Sequence, residues 1–232
     1  MSFFYCLKMI ELGRKKENKM KKRNCIIGQS GGPTIAINAS LAGIIHKAKH
    51  SEEYENVYGM INGIKGLLEG RYMDLLEEFD TGEKINALKQ TPAMYLGSCR
   101  FKLPTHIDNQ ETYVKLFEIL TELEITDFYY IGGNDSMDTI EKLSTYAKIC
   151  NCPINFIGIP KTIDNDLCIT DHTPGYGSAA KYVASTLLEI GHDTSIYPIN
   201  SVTIVEIMGR DAGWLTGASV LARNKYNFAP HL

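Results

Sequence analysis

Between Ile159 and Leu167 the sequence reads IPKTIDNDL, which sets Lys161, Thr162, Asp164, Asn165 and Asp166 directly behind the apolar run INFIGI. Helix capping uses one or two polar residues, so a lysine and two carboxylates here need another reason. Reaction chemistry supplies one. A carboxylate takes a proton from an attacking hydroxyl, a lysine neutralises charge on a transferring phosphoryl group, and Mg2+ bridges the remaining oxygens. The alternative is a structural ion pair between Lys161 and Asp164 or Asp166.

Other clusters have a similar make-up. GQSGGPTIAIN carries Gly28, Gly31 and Gly32 between an apolar run and a helical one, so backbone N–H groups can approach an anion at the positive end of a helix. A plain tight turn would use the same glycines. The segment is neither a Walker A sequence nor a G-x-G-x-x-G pattern. In YYIGGNDSMDTI, the oxygens of Asn134, Asp135 and Ser136 either hold Mg2+ or cap the next helix, and taken alone the cap is the simpler reading. EIMGRDAGW offers Arg210, whose planar fork suits a sugar hydroxyl or a phosphate, or an ion pair with Asp211 or Glu206. LGSCRF offers Arg100 as a phosphate clamp or a solvated cation. The six histidines show no metal-ligand spacing.

These clusters need positioning elements. The apolar runs NCIIG, NVYGMI, FYYIGG, INFIGI and VTIVEIMG alternate with segments of helical period such as TYVKLFEILTELE and SMDTIEKLSTYAKIC. That alternation predicts an α/β fold with a doubly wound, mostly parallel sheet, its strands covered by helices on both faces. The turns beginning at Gly28, Gly132, Pro160 and Met208 should then lie at the carboxyl ends of strands, the edge where ligands bind in such sheets. We expect a disordered extension over 1–20, an α/β domain over 21–170 that binds a phosphoryl donor, and the start of a second domain over 171–232.

The 232 residues are 44% hydrophobic and 22% charged, ample for a core. Met1 to Arg23 holds eight Lys/Arg against Glu11 and Glu17, leaving 16 basic and 25 acidic residues, net −9, in the remainder. Such a balance argues against a nucleic-acid partner. The basic head lacks the order of a signal peptide, its FFYCL being followed by Lys8 with no cleavage site. Met20 is a candidate natural start. Cys6, Cys25, Cys99, Cys150, Cys152 and Cys168 form no C-x-x-C, so reduced thiols and a cytoplasmic location are expected. No run reaches the roughly 18 apolar residues of a membrane span.

Taken in order, GQSGGPTIAIN, GGNDS, PKTIDNDL and EIMGRDAGW resemble the phosphofructokinase family, in its pyrophosphate-dependent branch, and the likeness runs from about Met20 to the last residue. The resemblance implies a phosphofructokinase-like fold and transfer of a phosphoryl group to the 1-hydroxyl of fructose 6-phosphate with Mg2+. Asp164 matches the family's general base, with Lys161 and Thr162 beside it. Thr162 and Asp166 match neighbours that position the hydroxyl and the base. Gly31, Gly32 and Arg100 match groups facing the donor phosphates, and Met208, Gly209 and Arg210 match the sugar-phosphate side. Dimers or tetramers of identical subunits are also implied.

The donor follows from three substitutions relative to the family's ATP users. Asp135 stands in place of a glycine, and its carboxylate would repel a nucleotide's α-phosphate, whereas pyrophosphate ends before reaching it. Lys161 also replaces a glycine and can hold the pyrophosphate. Ile61 stands where many ATP users place a tyrosine near the adenine.

Two features depart from the family pattern. Asn134 falls where much of the family has an aspartate associated with Mg2+, so either Asp135 takes the ion or the diphosphate holds it. The chain also stops at Leu232, where family members continue, so the second domain is expected to be incomplete, as in a truncated product or a pseudogene fragment. The rival readings are an ATP-dependent 6-phosphofructokinase and a silent fragment that only binds phosphate ligands or partner subunits.

Overall fold

The computed structural model describes residues 22–51 and 53–223. The extension expected over 1–20 lies outside the described residues. The chain divides into two compact units, Met1–Ile159 and Pro160–Leu232.

In the first unit, strand β1 (Arg23–Gln29) leads to helix α1 (Ile35–His50) and strand β2 (Tyr54–Met60). Helix α2 (Gly63–Leu68), strand β3 (Tyr72–Asp74) and helices α3 (Leu75–Glu78), α4 (Gly82–Gln90) and α5 (Gln110–Glu122) follow. Strand β4 (Ile125–Gly132), helix α6 (Asn134–Ile149) and strand β5 (Asn155–Pro160) complete the sheet. Its order is β3-β2-β1-β4-β5. β1 pairs in parallel with β2 and with β4, and the short β3 runs antiparallel against β2.

The alternation of side chains along β1 shows why the sheet is covered twice. Cys25 and Ile27 enter one buried cluster with Ile37, Leu41 and Ile45 of α1 and Ile85 and Leu88 of α4. Ile26 enters the other, with Tyr113, Leu116 and Phe117 of α5 and Leu143 and Tyr146 of α6. Successive residues of a strand face opposite sides, so a continuous apolar run needs a helical layer on each. The doubly wound, mostly parallel α/β sheet is therefore present. Local caps set two of the helix starts: Asp74 accepts from the N–H groups of Leu76 and Glu77, and Asn109 accepts from that of Thr112.

The second unit contains helix α7 (Tyr176–Ser195), the short helix α8 (Trp214–Ala218) and a 3-10 turn over Ser219–Ala222, and α7 packs against both. VTIVEIMG, expected as a strand, forms none. Val202 and Ile204 are each 90% exposed. β-propensity reports fit to a half-buried, paired surface rather than an intrinsic backbone preference, and residues 160–223 supply this segment with no ladder. Three of the four expected polar turns thus follow strands, while the one at Met208 does not.

Candidate functional site

The first unit brings three turns together. β1 ends at Gln29, in register with Ile131 of β4, so the turns that follow both strands leave the sheet side by side. The N–H of Ser30 donates to the Ile131 carbonyl at 3.0 Å, and the buried hydroxyls of Ser30 and Ser136 stand 2.5 Å apart. Contact this close depends on Gly132. A β-carbon there would lie 2.0 Å from Ser136 Oγ and 2.7 Å from the Ser30 carbonyl oxygen.

The third turn, Tyr95 to Arg100, is held by amide side chains. Gln29 Oε1 accepts from the N–H of Leu96 at 2.9 Å, and Asn38 Oδ1 accepts from that of Tyr95 at 3.0 Å. Both amides are fully buried, which fixes the turn against β1 and α1. Ser98 Oγ then donates to the Gly31 carbonyl at 2.9 Å. Gly31 and Gly32 are exposed on the turn after β1, and Gly31 has φ +86. Arg100 is exposed two residues beyond Ser98.

Asn134 and Asp135 open α6 behind Gly133, and both are exposed, with Asp135 the acidic group of the first turn. Negative charge is favoured there by the helix dipole. Beneath these turns the Tyr130 ring fills the space a Gly28 side chain would take, and burial raises the Tyr130 phenol well above its ordinary value, with Cys99 adding to the shift. Ile61, at the end of β2, packs partly buried against the α1 side of the sheet.

In the second unit the residues after β5 form a loop braced by its own side chains. Thr162 is buried, and its Oγ1 accepts from the N–H of Asp164 at 3.0 Å. Asn165, between the two aspartates, is buried in the left-handed region at φ +60. Its Nδ2 donates to the Asp171 carbonyl at 3.1 Å and its Oδ1 accepts from the Thr173 N–H at 2.8 Å. Asp164 Oδ1 is buried and has no hydrogen-bond partner among the described residues. Burial lowers the Lys161 ammonium below its ordinary value, with the Asp164 carboxylate partly opposing the shift. Asp166 is exposed and lines an open cavity of about 510 Å3 with Asp171, His172, Tyr176 and Trp214.

Farther along, Met208 is 69% exposed and Arg210 is exposed. Gly209 is buried between them at φ +150, and a β-carbon there would meet the Ala212 carbonyl oxygen at 2.4 Å, so this turn requires glycine. Among the described residues no group of three or more His, Cys, Asp or Glu is placed to hold a metal ion.

Several working residues escape a reading by motif. The Ser30–Ser136 contact, the Gln29 and Asn38 amides, the Ser98 hydroxyl and the bracing role of Asn165 belong to no motif chemistry. The one signal for them was Asn38, an amide on the otherwise apolar face Ile37, Leu41, Ala42, Ile45.

The phosphofructokinase family profile matches residues 24–228. A pyrophosphate–fructose 6-phosphate 1-phosphotransferase from Halomonas elongata is 41% identical over 216 residues, 92% of this chain and 51% of the relative. An ATP-dependent 6-phosphofructokinase from Vibrio parahaemolyticus is 35% identical over 193 residues, 83% of this chain and 55% of that one. The crystal structure of a pyrophosphate-dependent phosphofructokinase from Nitrosospira multiformis superposes with a TM-score of 0.78 at 39% identity, covering 90% of this chain and 51% of that one. The chain spans about half the length of the curated relatives it matches. A match of this extent, carried on a sheet wound in the same way, makes the chain a member of the phosphofructokinase family.

Proposed function

We propose that the chain carries the donor-binding turns and the general-base loop of a pyrophosphate-dependent 6-phosphofructokinase, a reversible glycolytic phosphotransferase. The 1-hydroxyl of fructose 6-phosphate attacks one phosphorus of pyrophosphate, the new O–P bond forms as the bridging O–P bond breaks, and inorganic phosphate leaves. Asp164 takes the hydroxyl proton.

The observation that carries this reading is the buried, unpartnered Oδ1 of Asp164. Leaving a buried acceptor without a donor costs about 1–3 kcal/mol. A sugar hydroxyl would satisfy it in the geometry that general-base catalysis needs. Thr162, through its bond to the Asp164 N–H, and Asn165, by bracing the loop, hold that carboxylate still. Lys161 has lost part of its hydration, and a polyanionic donor restores a favourable surrounding for its charge. Gly31, Gly32 and Arg100 would face the donor phosphates, and Asp166, Met208, Gly209 and Arg210 the sugar phosphate. The Asp135 carboxylate at the start of α6 disfavours a longer nucleotide donor.

Asn134 and Asp135 give one amide and one carboxylate oxygen, a small donor set suited to Mg2+, which keeps water and substrate phosphates among its ligands. Bound there, Mg2+ would neutralise developing phosphate charge. Work as a dimer or tetramer in the cytoplasm completes the proposal. Free Cys25, Cys99, Cys150, Cys152 and Cys168 are consistent with a reducing compartment, and no described helix is long and apolar enough to cross a membrane.

The test is fructose 1,6-bisphosphate formation with Mg2+, pyrophosphate and ATP being compared at matched concentration. We expect turnover with pyrophosphate, its loss by at least 100-fold in Asp164→Ala, and a shift toward ATP in the Asp135→Gly, Lys161→Gly pair. An unmodified chain that prefers ATP refutes the donor assignment. Absence of turnover with both donors, while phosphate ligands still bind, favours the silent-fragment reading.

A further inference from the structure

The exposed turn that bears Arg100 is tied by a run of hydrogen bonds to the glycine turn after β1. Glu69 Oε2 accepts from Arg71 Nε at 3.0 Å and from Arg71 Nη2 at 2.6 Å. Arg71 Nη1 donates to Asn62 Oδ1 at 2.8 Å, and Asn62 Nδ2 donates to the Ser98 carbonyl at 3.0 Å. The Asn62 N–H also donates to the Leu96 carbonyl at 2.8 Å, so both sides of the turn are gripped by one residue. Ser98 Oγ then reaches across to the Gly31 carbonyl at 2.9 Å.

That last bond acts on a peptide group with little else to fix it, because Gly31 and Gly32 have no side chains and are exposed. The Gly31–Gly32 bond is trans, and in a trans peptide the carbonyl and the following N–H point in opposite directions. Drawing the Gly31 carbonyl toward Ser98 therefore turns the Gly32 N–H away from it. A backbone N–H held ready in this way is an anion donor that needs no reorganisation when the ligand arrives.

We propose that Ser98 is a positioning residue for the phosphoryl donor: its hydroxyl sets the Gly31–Gly32 peptide so that the Gly32 N–H is presented to a pyrophosphate oxygen. The proposal rests on the pyrophosphate reading above. It makes the turn carrying Arg100 and the glycine turn a single unit, the guanidinium supplying charge and Ser98 supplying the orientation of a neutral donor.

The test compares the full chain with Ser98→Ala and Ser98→Thr. Pyrophosphate binding is followed by titration calorimetry with Mg2+, and the Gly32 amide resonance by 15N NMR without ligand. We expect Ser98→Ala to lose about tenfold in affinity, the worth of one well-placed hydrogen bond, and to shift the Gly32 resonance. Ser98→Thr, which keeps a hydroxyl, should stay within about threefold of the unmodified chain, with its resonance in place. A Ser98→Ala chain that binds pyrophosphate normally, or whose only change is a lower unfolding temperature, overturns the positioning role and leaves the pyrophosphate reading intact. An unmodified chain that binds no pyrophosphate overturns that reading and this proposal together.

Discussion

Ser30 and Ser136 lie 106 residues apart in the chain, yet their hydroxyl oxygens are 2.5 Å apart in the interior, between the turns that follow β1 and β4. Parallel pairing of adjacent strands puts the two turns at one level, and the hydroxyl pair sets their spacing. The turn after β1 is thereby tied, through Ser30, to the first turn of α6, which Asn134 and Asp135 open.

The spacing depends on Gly132. Gly132→Ala sets a β-carbon 2.0 Å from Ser136 Oγ and 2.7 Å from both Ser136 Cβ and the Ser30 carbonyl oxygen. We expect a loss of about 1–3 kcal/mol, as for other overpacked sites, read by urea unfolding. Adding Ser136→Ala should restore little, because the β-carbon and the carbonyl remain in the way. A Gly132→Ala chain as stable as the unmodified one contradicts the close approach.

Lys161 should leave a signature in the pH dependence of stability. Burial lowers its pKa in the folded chain, whereas the unfolded chain titrates near the ordinary value of 10.5. Between those values the unfolded chain binds more protons, so stability rises with pH across that window. Lys161→Met removes this contribution. The stability of the unmodified chain relative to Lys161→Met, measured by urea unfolding, should therefore climb as the pH approaches 10.5, and a flat or falling difference refutes the assignment. Pyrophosphate, by favouring the ammonium, should bind with uptake of a proton in the same window.

Asn165 joins two roles, a left-handed backbone and a pair of buried amide bonds to the Asp171 carbonyl and the Thr173 N–H. Asn165→Ala loses both bonds, at about 1 kcal/mol each, and adds a further cost of about 1 kcal/mol for the left-handed conformation. A total of about 2–4 kcal/mol is expected by chemical unfolding. Asn165→Gly, which tolerates that backbone, should be the milder of the two. A loss below about 0.5 kcal/mol in Asn165→Ala would show that the loop is braced from elsewhere.

The sheet was legible because β1, β4 and β5 are each a short apolar run followed by a polar turn, and β1 and β4 are buried along most of their length. VTIVEIMG has the same local composition and misled for that reason: composition reports what a segment would do in a sheet, whereas a ladder is needed to make it a strand. At the candidate site the sequence displayed the carboxylates, the lysine and the glycines, since those types are uncommon behind apolar runs. It could not display the contacts that hold them. The Ser30–Ser136 pair exists only because β1 and β4 are neighbours, and Asn165 looks like one more polar group of its motif until its backbone angle and its two bonds are known.

The exposed stretch from Val202 to Met208 bears on how the chain fares in a cell. Six of its seven residues are apolar or β-branched, none is proline, and Glu206 carries its only charge. Such a tape favours edge-to-edge association. A charge in the middle of such a run opposes that association, so replacing Glu206 by an apolar residue should promote it.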